Sequence, residues 1–330
     1  MRSGCGAVFA LFWTLVFASA AHAGPPPEPP RALRALIGQY GEPGDILTLY
    51  ERNGTLHAQG AGISATGLIA SSNGRFQTPG GIEIRTVRGG VSLAGVRRVR
   101  RDLGAETEAA IRRTVKADPA ALRAMAARAT PPVEAAPARP SDLVDLASVD
   151  PTLRFDIRYS TSNNFMGLPL YDRPGAYLQR PAAEALGRVQ RALRAQGYGL
   201  LVHDAYRPWS VTWMFWEATP EASRMFVADP AKGSRHNRGG AVDLTLYDLQ
   251  TGKVVEMPSR YDEMSPRAYA DFPGGTSRQR WLRDLLRQAM TAEGFEVLAE
   301  EWWHFDYRDW RQYGIGAATF TELSAGRPQN

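Results

Sequence analysis

The sequence predicts an α+β protein in two parts of different texture, and three observations carry that reading. From about residue 33 to 101, short apolar runs alternate with Gly-bearing turns at the spacing of small strands. Between 103 and 128 the text changes to Ala, Arg and Glu, with Leu103, Ile111, Val115, Leu122 and Met125 at helical intervals. Beyond 141, strand-like and helix-like segments are mixed, and seven of the eight Trp lie after position 208. The expected organisation is a leader over 1–23, a small β-rich domain over 24–102, a helical segment and Pro/Ala-rich linker over 103–140, and a C-terminal domain over 141–330.

The leader is read as a signal peptide. Arg2 gives a positive start, an apolar stretch over 7–18 follows, and Ala21-His22-Ala23 offers small residues for cleavage. The stretch is too short to span a bilayer comfortably, so a periplasmic or secreted protein with no stable membrane span after processing is expected. The one cysteine, Cys5, precedes the apolar stretch, so the processed chain has neither disulfides nor a thiolate metal site.

In order, residues 24–30 (Gly-Pro-Pro-Pro-Glu-Pro-Pro) form a stiff extended leader to the first domain. Ile46-Leu47-Thr48-Leu49-Tyr50 before Asn53-Gly54 predicts a hairpin, and Asn73-Gly74, Gly80-Gly81 and Gly89-Gly90 mark further turns. Asp118-Pro119 predicts a break between two helices. Residues 130–140 read as a linker. The C-terminal part predicts a strand at 155–159, an amphipathic helix at 181–196, a buried strand at 199–204, a helix at 211–218, a strand at 241–247, a helix at 281–293 and a strand at 295–307. The net charge of +5 comes mostly from scattered Arg, and the run Arg97-Arg98-Val99-Arg100-Arg101 is too short for a groove-tracking stripe. No nucleic-acid partner is expected.

Two stretches carry chemistry: Ser234-Arg235-His236-Asn237-Arg238-Gly239-Gly240-Ala241-Val242-Asp243 and Glu301-Trp302-Trp303-His304. Gly239 and Gly240 permit a tight turn that can bring His236 back to Asp243. The first stretch alone fits either metal ligands or a loop-capping His with an Arg-paired Asp. Glu301 and His304 face opposite sides of a straight strand, so a bend or bulge is required if both serve one site. Two imidazoles, a carboxylate and a spare carboxylate together are the donor set of a catalytic zinc with an open position for water. Only four His lie beyond the leader, and His203, at a strand end, reads as a hydrogen-bonded structural residue.

These motifs, with Asp204-Ala205-Tyr206-Arg207-Pro208 and Asp243-Leu244-Thr245-Leu246-Tyr247, resemble the D-alanyl-D-alanine dipeptidases, the VanX-like zinc peptidases, from about Phe155 to Arg308. The resemblance implies one Zn2+ per chain on His236, Asp243 and His304, with Glu301 as general base and Arg207 stabilising the oxyanion. It points to Asp262 as acceptor of the substrate ammonium, with Tyr159 and Ser234 lining the cleft. An ion pair with Asp204 is the other reading of Arg207. Arg235 departs from the small polar residue expected beside the metal ligand, and residues 24–140 lie outside the likeness.

The reading is therefore an α+β zinc peptidase domain with an antiparallel central sheet and flanking helices, hydrolysing a small D,D-dipeptide in cell-wall peptide metabolism. Peptidoglycan is a further partner expected for the N-terminal region. Two rivals are a zinc D,D-carboxypeptidase acting on peptidoglycan stem peptides and a non-catalytic wall-binding protein. The intact quartet His236, Asp243, His304 and Glu301 argues against the second rival.

Overall fold

The computed structural model describes residues 24–135 and 139–326, so the leader over 1–23 with Cys5, and linker positions 136–138, lie outside the described residues. The molecule mixes sheets with several helices. Residues 38–101 form one antiparallel sheet of nine short strands, in which the first strand, Gly38–Tyr40, pairs with both the second, Leu47–Arg52, and the last, Val96–Arg101. The expected hairpin at Asn53-Gly54 is present. Both residues have positive φ, 51° and 80°, and Arg52 faces Thr55 across the turn, the geometry that matches strand twist in a two-residue loop. This sheet has a small core of its own, including Tyr40, Leu47, Leu49, Leu56, Ile84 and Leu93.

Two helices follow, Leu103–Ala117 and Pro119–Ala126, and Asp118 ends one and caps the next by accepting from Ala121 N at 2.8 Å. Ile111, Val115 and Ala126 bury themselves in the C-terminal core, apart from the core of the N-terminal sheet. Glu51 ties that sheet to the C-terminal part. It is buried and accepts from Ser277 N at 2.6 Å, at the start of the helix Ser277–Ala292, where a carboxylate meets unpaired N–H groups and the positive end of the helix dipole.

The central sheet of the C-terminal part has five strands in the order Arg154–Phe155, Tyr198–Asp204, Ala241–Asp248, Glu301–Tyr307, Phe295–Leu298. It is antiparallel except at one edge, where Arg154–Phe155 runs parallel to Tyr198–Asp204. The helix Arg180–Arg194 supplies the crossover that a parallel pair needs. The strand expected at 155–159 is thus shorter than its apolar alternation suggests, because the chain turns into a single 3-10 turn at Arg158–Ser160, with Ser160 Oγ donating to Ile157 O at 2.7 Å. The helix expected at 281–293 starts four residues earlier, at Ser277, where Thr276 and Gln279 form a capping box.

Two irregularities in register aim the side chains. Val202 lies opposite Leu244 but Asp204 lies opposite Asp243, so His203 is an extra residue. Leu244 and Asp243 point to opposite faces. The bulge therefore moves Asp204 off the face used by Val202 and onto that of Asp243. On the other side, His304 lies opposite Asp243, while Phe305 pairs with Val297 and Glu301 with Leu298. That shift returns Glu301 to the face of His304, which is the bend the Glu-x-x-His spacing requires.

Candidate active site

Asp204, Asp243 and His304 form a row across three neighbouring strands on one face of the sheet. His236 reaches the same point from a 3-10 turn, His236–Arg238, that closes on Gly239 in the left-handed region at φ 63°. A Cβ on Gly239 would lie 2.4 Å from Leu143 Cδ2, so the turn needs glycine for conformation and for space. Asn237 anchors the turn by donating to Arg207 O at 2.8 Å and Thr212 Oγ1 at 2.9 Å. The Ser234 hydroxyl accepts from His236 N at 3.2 Å.

The three expected ligand atoms meet. His236 Nε2 lies 3.2 Å from Asp243 Oδ1 and 3.0 Å from His304 Nδ1, which itself lies 3.0 Å from Asp243 Oδ1. Tetrahedral zinc with bonds near 2.0–2.1 Å separates its ligands by about 3.3 Å, so the triangle is close to one face of that polyhedron. The outer hydrogen bonds fix the tautomers. His236 Nδ1 donates to Ala205 O at 2.6 Å and His304 Nε2 donates to Asp306 Oδ1 at 2.9 Å. Once His304 gives up its proton to an incoming metal, rings so held turn their lone pairs inward, beside a carboxylate oxygen. Three lone pairs within about 3 Å of one another call for a cation among them.

The titration of the cluster says the same. Burial alone would lower the pKa of His304, but hydrogen bonds to Asp243 and Asp306 overcome this and push it up to about 10. Burial would raise Asp243, yet the imidazoles of His236 and His304 hold it well below the ordinary carboxylate range. Arg235, the departure noted in the sequence, bonds the outer oxygen of Asp306 at 2.9 Å and so completes a chain Arg235–Asp306–His304. Asp306 escaped the sequence reading, although its position two residues beyond His304 on a strand puts both side chains on one face.

Glu301 Oε2 lies 3.7 Å from His304 Nδ1, at the edge of the triangle. Burial, helped by the charge of Asp243, pushes its carboxyl up to about 7, while His304 and Arg207 oppose the shift. Arg207 is buried. Its Nε and Nη2 donate to Asp204 Oδ2 at 2.9 and 2.7 Å, Nη2 stands 3.7 Å from Asp243 Oδ2, and its plane lies near the rings of Tyr159 and Phe215. The Asp204 ion pair is thus present, and Arg207 also lines the cleft.

That cleft has a volume of about 490 Å³ and is walled by all eight residues singled out in the sequence: His236, Asp243, His304, Glu301, Arg207, Asp262, Tyr159 and Ser234. Tyr159 OH donates to both oxygens of Asp262, at 2.9 and 3.0 Å. Burial and the charge of Asp243 keep the Asp262 carboxyl well above its usual range. Tyr261, which sequence reasoning passed over, donates to Asp243 Oδ2 at 2.9 Å and stacks on His203 with centroids 4.6 Å apart. His203 stays outside the metal triangle, with Nδ1 3.3 Å from Asp156 O, and burial lowers it to about 4, so it is neutral at pH 7.

A buried His–Asp–His triangle with a carboxylate at its edge, on a sheet face that opens into a cleft, is the site of a metallopeptidase. The chain belongs to the D-ala-D-ala dipeptidase family, which matches residues 139–315. It is similar to the D-alanyl-D-alanine dipeptidase of Escherichia coli (strain K12), 34% identical over 181 residues, covering 55% of this chain and 92% of that protein. The protein of the same name from Enterococcus faecium is 36% identical over 178 residues, 48% of this chain and 87% of its own. The one from Streptomyces coelicolor is 34% identical over 186 residues, 50% of this chain and 92% of its own.

Proposed function

We propose that the protein is a zinc-dependent D-alanyl-D-alanine dipeptidase. The observation that carries the reading is the presence, in one cleft, of a metal-ligand triangle and a carboxylate, Asp262, set apart from it to receive an ammonium. His236, Asp243 and His304 would hold one Zn2+, which when bound polarises a scissile carbonyl and acidifies water. Glu301 stands beside His304, where it can accept the proton of the attacking water and pass it to the leaving amine. Arg207 is a fixed cation in a buried wall, suited to the negative charge that grows on the carbonyl oxygen. Its bonds to Asp204 hold it in place before substrate arrives. Tyr159 orients Asp262 towards the amino end of the dipeptide, and Ser234 shapes the cleft beside His236.

Asp262 sets the substrate class. A buried carboxylate is stabilised by a cationic partner, which a free dipeptide supplies and an acylated stem peptide does not. Rates on D-Ala-D-Ala and N-acetyl-D-Ala-D-Ala test this. The free dipeptide is expected to be cleaved at least about 100-fold faster in kcat/KM, with the gap narrowed in Asp262→Asn through a higher KM for the dipeptide. Equal rates on both substrates, unchanged by the substitution, point instead to the carboxypeptidase.

The reading extends to the chain as a whole. We propose export after removal of residues 1–23, supported by the apolar stretch and Ala21-His22-Ala23. Among the described residues no helix is long and apolar enough to cross a membrane. Residues 24–102 carry ten Arg against six acidic residues, whereas 103–330 carry twenty-eight of each sign. This local positive excess supports the N-terminal part as a separate domain that contacts anionic cell wall and peptidoglycan.

A further inference from the structure

The family match begins at residue 139, yet the helix Leu103–Ala117 braces the wall of the cleft. We propose that this helix is a clamp that fixes the amino-end wall of the substrate site through Arg112 and Gly104, and thereby sets the preference for a free dipeptide. The inference rests on the function proposed above.

The wall in question is thin. Phe165, Asp262 and Glu263 line the cleft on one side and, on the other, a neighbouring cavity of about 520 Å³. The wall between the two spaces is Asp262, half-buried, flanked by the buried Phe165 and Glu263. Its position depends on what grips its two ends. The helix grips both.

At one end, Arg112 donates from Nη2 to Asn164 O at 2.7 Å and from Nε to Phe165 O at 3.4 Å. Phe165 packs on Phe215 with centroids 4.9 Å apart and edge-on to Tyr159 at 6.3 Å, and Tyr159 holds Asp262. At the other end, Gly104 lies against Glu263. A Cβ at 104 would sit 2.3 Å from Glu263 Cγ, so the helix approaches this closely only with glycine there. Glu263 is buried and folds the turn that carries Asp262, accepting from Arg260 N at 3.2 Å and Ser265 Oγ at 2.8 Å. Asp262 itself has φ 59°, a left-handed conformation that persists only where its surroundings enforce it. The helix is seated firmly enough to do so. Ile111 and Val115 are fully buried in the C-terminal core, and Asp102 caps the first turn by accepting from Ala105 N at 3.1 Å. Arg112 is a positioning residue, since it acts through Phe165, Tyr159 and Asp262.

The test uses the full-length zinc-loaded protein with D-Ala-D-Ala and its N-acetyl form. R112A is expected to raise KM for the free dipeptide about 10-fold while kcat stays within about threefold, and to shrink the selectivity between the two substrates by a similar factor. R112K, which keeps one donor to the carbonyls, should recover part of both. G104A is the second probe. Alanine is the better helix former, so the helix itself is not weakened. The added methyl displaces Glu263, and the same rise in KM and loss of selectivity are expected with zinc content unchanged. Should R112A fail to fold, G104A decides alone. Wild-type KM and selectivity in the variants, or an equal loss on both substrates, overturns the clamp while leaving the dipeptidase reading intact. A wild-type protein that does not hydrolyse D-Ala-D-Ala overturns both.

Discussion

In the proposed mechanism His236, Asp243, His304 and Glu301 divide the work by their distance from one point. The first three present lone pairs to it at mutual separations of 3.0–3.2 Å, and Glu301 stands 3.7 Å from the nearest of them. Substitution should therefore separate binding from turnover. His236→Ala is expected to lose both zinc and activity. Glu301→Gln, which keeps the shape, should retain one equivalent of zinc by elemental analysis and lose about 10²- to 10⁴-fold in kcat. A Glu301→Gln enzyme with near-normal kcat would hand the role of base to another group, and Glu300, which also lines the cleft, is the one at hand. The titration of His304 gives a second residue-scale test. With a folded pKa of about 10 the metal-free cluster holds a proton at pH 7.5, and a metal must displace it. Zinc binding should then release about one proton at pH 7.5 and tighten as pH rises, read from calorimetric heats in two buffers of different ionisation enthalpy. Heats independent of buffer would mean that the imidazoles are already unprotonated.

At the scale of elements, the site depends on places where regular structure is interrupted. The Gly239-Gly240 turn and the need for a bulge between Glu301 and His304 were both legible in the sequence, because each follows from residue spacing against the period of a strand. The bulge at His203 was not. Nothing local to 202–204 says that Leu244 and Asp243 will be its partners, and register is set by neighbours far along the chain. The contacts of Tyr261 with Asp243 and of Arg235 with Asp306 were hidden for the same reason. Helix limits were read to within a few residues, and the 3-10 turn at Arg158–Ser160 took over what looked like continued strand. The turn that delivers His236 gives the element-scale prediction. Gly239→Ala adds a methyl against Leu143 at a positive φ, which should destabilise the fold by about 1–3 kcal/mol, lowering the melting temperature, and weaken zinc binding. Unchanged melting and zinc affinity would show that the turn tolerates a side chain and does not set the ligand.

On the scale of the molecule, catalytic chemistry and surface charge occupy different stretches of sequence. The ligand triangle, Asp262 and the buried cation Arg207 belong to 139–315, where the family match lies, while the positive excess belongs to 24–102. The helix Leu103–Ala117 connects the two and shares the core of the C-terminal part. The C-terminal motifs were legible because their chemistry needs particular residue types at fixed spacing. The Glu51–Ser277 contact was not, since it joins positions 226 residues apart. The central claim is that one metal ion on His236, Asp243 and His304 makes this fold a D,D-dipeptidase. The most direct measurement strips the purified protein with a chelator and titrates zinc back while following D-alanine released from D-Ala-D-Ala. Release is predicted to be absent in the stripped protein, to rise linearly and to reach its plateau at one zinc per chain. Full activity in the stripped protein, or none at any zinc concentration, would contradict it.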